Sequence, residues 1–196
     1  MAIFYWKGGV DTAWATVANW FKDEALSTAA VTFPSGSTDI AVIPASGSSA
    51  SIVTLGANRT IAAFIDLSGG TYPFSALDYT LTVGSASFVG AGSGNEGTIA
   101  GDCVFSGVGS YNLGYITGNC VFKGSSSYNP LSITGACVFI GDYSQNNGTI
   151  TGNALFQTGI GMSNPGTITG SLLALVPISS TGTAGKYPLD VLNTGI

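Results

Sequence analysis

Histidine is absent from this 196-residue chain, and charge is scarce: Asp, Glu, Lys and Arg together make up 8% of it. Without imidazole the usual general base is missing, and every nucleophilic triad that depends on it is excluded. The five cations, Lys7, Lys22, Arg59, Lys123 and Lys186, are scattered over a chain of formal net charge −5. No basic patch is left to release counterions from a phosphate backbone, so no nucleic-acid partner is expected. No apolar run approaches the roughly 18 residues that span a bilayer, so membrane insertion is not expected either. The opening Met1 to Lys7 lacks the basic-then-apolar pattern of a leader, which predicts synthesis in a cytoplasm. Also missing is the Ala, Glu, Lys and Leu enrichment of helical proteins.

What is present is 45% hydrophobic residues and 29 glycines. The polar surface must then come from Ser, Thr, Asn and Gly, a composition of β-solenoids and β-sandwiches. Between 95 and 170 the chain repeats. Phe88, Phe105, Phe122, Phe139 and Phe156 recur at one interval, and Cys103, Cys120 and Cys137 keep it. Ile99, Ile116, Ile133 and Ile150 form a third series and Asn95, Asn112, Asn129 and Asn146 a fourth. Ile168 and Asn164 both arrive one residue late, so a single insertion after Phe156 displaces two series together. Such agreement predicts an all-β, single-stranded parallel β-solenoid (β-helix) with 17-residue coils, stacked as equal units. At about 3.3 Å per residue each coil has a perimeter of roughly 55 Å, which admits a core only one or two side chains across.

Three regions are expected. Residues 1–45 carry Trp6, Trp14 and Trp20 and form an N-terminal cap or docking segment, with a short helix over 11–21 from the spacing of Trp14, Val17 and Phe21. Residues 46–170 form the solenoid, irregular to about 84 and regular over 85–170, and residues 171–196 form a C-terminal cap or oligomerisation segment. Within the coil from Gly114 to Ser127, alternation turns Ile116, Cys120 and Phe122 inward and Thr117, Asn119 and Val121 outward, unless a bend at Gly118 reverses the parity.

The most conspicuous residues have structural explanations. Aligned cysteines stacked about 4.8 Å apart are too distant for a disulfide's preferred ~3.8 Å between Cβ atoms, so free buried thiols are expected, with no metal role. The Asn column suits a turn that accepts left-handed backbone, with side-chain amides bonded from coil to coil. Among the acids of the regular coils, Glu96, Asp102 and Asp142, none recurs in the next coil, so no glycosidase-type carboxylate pair is visible, and Asp66 and Asp78 stand out in no other way. No catalytic residue and no cofactor are expected.

Candidate contact residues lie elsewhere. Val104, Val121, Val138 and Leu155 make an apolar stripe that either faces out as an interface or packs in a core of the other parity. Tyr111 and Tyr128 repeat on the return segment and could extend such an interface. Thr149-Ile-Thr151 and Thr167-Ile-Thr169 resemble the threonine arrays of β-solenoid ice-binding proteins, although Tyr115 interrupts the series.

The unit Gly148 to Phe156, the Ser-Tyr-Asn segments at 110–112 and 127–129, and the opening Trp14, Asn19-Trp20 and Asp39 to Ile43 together resemble low-charge β-solenoid repeat proteins of phages and bacterial surfaces. The resemblance covers most of the chain and is one of architecture. It implies a non-enzymatic virion structural protein, a head decoration or cement protein that is a homotrimer and partners the major capsid protein. A short tail fibre, spike or adhesin touching host glycans is the alternative, and an ice-binding solenoid a second.

Overall fold

The computed structural model describes residues 1–45, 53–69, 74–76, 78–179 and 184–186, the last three by backbone alone. It is an all-β, parallel β-solenoid of about seven turns, as the repeat predicts. Each coil contributes to two sheets. On the long side, Ile40–Ile43, Arg59–Asp66, Thr80–Phe88 and Thr98–Phe105 stack in parallel. The next three coils break that strand in two, giving Tyr115–Ile116 with Cys120–Phe122, Ser132–Ile133 with Cys137–Phe139, and Thr149–Ile150 with Ala154–Phe156. It is whole again in Thr167–Ala174. On the short side, two-residue strands such as Tyr111–Asn112, Tyr128–Asn129 and Gln145–Asn146 stack in a second sheet.

The breaks fall at glycine. A Cβ on Gly118 would lie 2.2 Å from the carbonyl oxygen of Gly101, and one on Gly135 2.3 Å from that of Gly118. The coil below is pressed against the Cα there, a spacing only glycine permits, and the unbroken strands Thr98–Phe105 and Thr167–Ala174 carry Gly101 and Gly170 at the same position. Parity survives the bend. Ile116, Cys120 and Phe122 are buried, while Thr117 and Asn119 are exposed and Val121 is half-buried.

Parallel pairing runs beyond Gly170. Ala154, Leu155 and Phe156 pair with Leu172, Leu173 and Ala174, and Met162–Ser163 pairs with Ile178–Ser179. The segment after the regular coils therefore adds a further turn before any cap, and residues 180–183 and 187–196 of the expected C-terminal cap lie outside the described residues.

At the other end, Ile3–Trp6 joins the long sheet parallel to Ile40–Ile43 and carries Trp20–Phe21 antiparallel on its outer edge. The expected helix over 11–21 is not formed, and only a 3₁₀ turn at Val17–Asn19 is present. Local bonding outcompetes helical spacing there. The Asp11 carboxylate accepts from Ala13 N, Thr16 Oγ1 and Asn19 Nδ2 at 2.7 to 2.9 Å, and Trp14 N is tied to the carbonyl of Thr54 at 2.9 Å. Residues 34–39 form a turn, with the amides of Ser35 and Gly36 donating to Asp39 Oδ2.

Candidate functional site

Five inward columns fill the coil. Phe88, Phe105, Phe122, Phe139 and Phe156 stack face to face with centroids 4.6 to 4.9 Å apart and planes within 10°. The ring spacing is the coil spacing, so the parallel register itself enforces stacking. Ile99, Ile116, Ile133, Ile150 and Ile168 form the second column, all buried. In the third, Cys103, Cys120 and Cys137 are free and buried, followed by Ala154 and Leu172. Burial pushes the thiols of Cys120 and Cys137 well above the ordinary range, which keeps them protonated and unreactive.

The Asn column is a hydrogen-bonded ladder. Asn95, Asn112, Asn129 and Asn146 each donate Nδ2–H to the Oδ1 of the next coil's Asn at 2.7 to 2.9 Å, the last to Asn164, and all five are fully buried. The expectation of left-handed backbone at these residues needs correcting, because none has a positive φ. The side chain makes the corner instead: Asn95 Oδ1 accepts from Gly97 N while its Nδ2 donates to the Gly97 carbonyl, both at 2.9 Å. The left-handed positions lie elsewhere in the coil, at Gly92, Gly109, Ser126, Tyr143 and Gly161, with φ between 57° and 72°.

A fifth column, Ser93, Ser110, Ser127 and Ser144, is fully buried beside the Asn ladder. Ser110 and Ser127 donate to the carbonyls of Gly107 and Gly124 at 2.7 Å. Sequence reasoning passed over it, although its spacing equals that of the phenylalanines. Apart from the Ser93 hydroxyl, which is buried without a partner, these amides and hydroxyls turn inward and bond within the stack, so the repeat's polar residues are structural.

The tryptophans end the same core. Trp6, Trp14 and Trp20 are fully buried. Trp20 lies 4.9 Å from each of the other two, edge to face, and Trp14 leads through Phe64 at 6.4 Å to Phe88 at a further 5.8 Å. Trp14 Nε1 donates to the Pro34 carbonyl and Trp20 Nε1 to that of Trp14. The indoles thus plug the open end of the solenoid and present no surface to a partner, which favours the cap over the docking role.

The outward positions fall into three sets. Val104, Val121, Val138 and Leu155 face out, half-buried by their neighbours above and below, and Leu173 continues the stripe at 39% exposure. Leu175 widens its last rank. Tyr111 is buried with its ring over Gly94 and stacks 5.5 Å from the half-buried Tyr128 on the short side. The second set is threonine. Thr117, Thr134, Thr151 and Thr169 are all exposed, and alongside them run Thr98, Tyr115, Ser132, Thr149 and Thr167 in paired register.

The third set is a groove of about 410 Å³ at the corner between the two sheets, lined by Tyr115, Pro130, Ser132, Asn147, Thr149 and Thr167 among others. It takes residues from four successive coils. Nothing in the composition announced it, because none of its three columns keeps one residue type throughout.

The acids do not converge. Asp102 Oδ1 accepts from Asn119 N and Asp142 Oδ1 from Ile160 N, each holding one coil to the next. Partial burial raises the carboxyl of Glu96. Asp66 is the exception in burial: fully enclosed, it pairs with Ile43 below and Phe88 above in the aromatic column. Its Oδ1 accepts from Ser68 N and Oγ, Oδ2 has no partner, and burial raises it to about 6 against the two hydrogen bonds. Among the described residues no group of three His, Cys, Asp or Glu is placed to hold a metal, and no helix is long and apolar enough to cross a membrane.

Fold and surfaces together define a parallel β-solenoid protein whose chemistry-bearing repeats are internal. Compared with protein-family models, with curated proteins and with solved structures, the chain finds no match.

Proposed function

We propose that the chain is a non-enzymatic structural module that decorates a virion surface and packs against copies of itself, as a homotrimer, through the stripe from Val104 to Leu173. The observation that carries the reading is this stripe. Five aligned branched side chains face outward on a rigid sheet whose core is already filled. At about 4.8 Å per coil they span roughly 19 Å along the axis, a continuous apolar edge of the kind subunit interfaces bury. The virion setting, with the major capsid protein as neighbour, is supported by the architectural resemblance set out above. A short tail fibre or adhesin is the second reading, favoured by the exposed groove at Tyr115.

The test is the oligomeric state in solution together with co-sedimentation on particles. The expected result is a stable trimer that co-purifies with virions. Val121→Glu and Val138→Glu should each reduce it to a monomer with little change in Tm, because these side chains leave the core untouched. A wild-type monomer at micromolar concentration that is absent from particles refutes the reading.

A further inference from the structure

The groove at the corner of the two sheets has a property that none of the buried columns shares. Inside the solenoid, the Asn and Ser side chains of the columns are bonded to one another or to backbone, save Ser93 at the start of its column. In the groove, among the described residues, the hydroxyls of Tyr115, Ser132, Thr149 and Thr167 and the side-chain amide of Asn147 make no hydrogen bond within the chain. Five unengaged polar groups therefore line one concavity. The coil spacing of about 4.8 Å sets three of them, Ser132, Thr149 and Thr167, in a row along the axis. At the end of the row the Tyr115 side chain is 57% exposed and stands in the column as a wall.

The groove is also preorganised. Pro130 and Pro165 border it at equivalent positions of their coils with φ fixed by the ring, and the strands beneath are locked in the parallel ladder. Three backbone donors along the row are taken: Tyr115 N, Thr149 N and Thr167 N donate to the carbonyls of Gly97, Leu131 and Gly148. A strand-like peptide, which binds through main-chain bonds, finds those positions already paired within the ladder. None of the lining residues is charged, so phosphate and carboxylate ligands gain nothing.

We propose that this groove binds a short stretch of an uncharged polysaccharide. It would run along the solenoid axis over four coils, about 14 Å, with one sugar ring against Tyr115 and its hydroxyls on Ser132, Asn147, Thr149 and Thr167. Sugar rings offer what this lining asks for: an apolar C–H face for the phenol and a row of hydroxyls that both donate and accept. The same exposed tyrosine interrupts the flat threonine grid that an ice-ordering face needs. The proposal is independent of trimerisation, which uses the valine stripe.

The full-length protein is run in native gels containing dextran, laminarin, galactomannan or, as the acidic control, alginate, and is printed against an array of neutral and acidic oligosaccharides. Retardation by at least one neutral polymer is expected, with the apparent affinity falling about tenfold in Tyr115→Ala. Thr149→Val, which keeps shape and removes one hydroxyl, should weaken it by a smaller factor. Both substitutions are at exposed positions, and an unchanged Tm confirms that each variant is folded. Binding to none of the neutral probes, binding only to acidic ones, or retention undiminished in Tyr115→Ala overturns the assignment. Thermal hysteresis without glycan binding overturns it too, in favour of ice.

Discussion

Replacing Asp66 by Asn isolates the one ionisable group built into the aromatic column. In the folded protein its carboxyl is held at about 6 by burial, against 3.8 for an unperturbed Asp. Because the folded value is the higher, the native state keeps this proton at pH values where the unfolded chain has released it. The stabilising share is therefore complete below about 3.8 and is lost as pH rises through about 6. A shift of roughly two units corresponds to about 3 kcal/mol in total, and integrating the two titrations places about 1.4 kcal/mol of it between pH 5 and 7.5. That window stays clear of the isoelectric point near 4.2. Asp11 and Asp23 are shifted the other way by hydrogen bonds, Asp23 to about 2, so they titrate below it. Urea unfolding followed by the fluorescence of the buried tryptophans, two ring contacts away through Phe64, should show wild-type stability falling by about that amount from pH 5 to 7.5. Asp66→Asn keeps the acceptor for Ser68 and should flatten the curve to the smaller slope of Glu96. Parallel pH profiles for the two proteins would refute the account of this residue.

Other perturbations test the stack itself. Asn129→Leu leaves Asn112 Nδ2 without its acceptor and Asn146 Oδ1 without its donor, two buried orphans that should cost about 2–6 kcal/mol in urea unfolding; a loss under 1 kcal/mol would deny the ladder its role. Gly124→Ala places a methyl 1.9 Å from the Gly107 carbonyl oxygen and should destabilise strongly, whereas Gly9→Ala, with no atom within 4 Å, should leave Tm almost unchanged. Ser126→Gly removes a side chain from left-handed backbone and should raise stability by about 0.5–1 kcal/mol. The three thiols should resist a thiol-reactive dye at pH 8 in native protein and react fully in denaturant, and rapid native labelling would contradict their burial.

The inward columns were legible because a stacked coil asks the same question of each equivalent residue, and one answer, Phe or Ile or Asn, fits it best. Identical neighbours also reward one another: a phenyl stacks on a phenyl, and an amide both donates and accepts. The serine column had the same signal and needed only to be read. The left-handed column could not be read, since its residues are Gly, Gly, Ser, Tyr and Gly. What that corner demands is a backbone angle, which glycine meets most easily but Ser126 and Tyr143 also adopt. The absent helix at 11–21 shows the opposite failure. Its spacing of Trp14, Val17 and Phe21 is real, yet Trp14 is held by Thr54 and Pro34 far along the chain, and local propensity loses to those contacts.

The single insertion after Phe156 explains why the solenoid tolerates such variation on its outside. Both the Ile and Asn series resume one residue late, and the pairing of Ala154 to Phe156 with Leu172 to Ala174 is in register. The extra residue is absorbed in the corner around Gly159 and Gly161, both at positive φ, where the Tyr143 side chain from the coil below lies against Gly161. A corner can lengthen because it contributes no residue to the three stacked apolar columns, and the next coil still lands on the same ladder. The same freedom extends to the outward positions of the strands. Asp102, Asn119, Ala136, Asn153 and Ser171 occupy one column, and Thr98, Tyr115, Ser132, Thr149 and Thr167 another, with no demand for identity. The groove arises where such unconstrained columns meet a corner. Its tyrosine departs from the threonines and serine around it, in a position where stacking did not require the change.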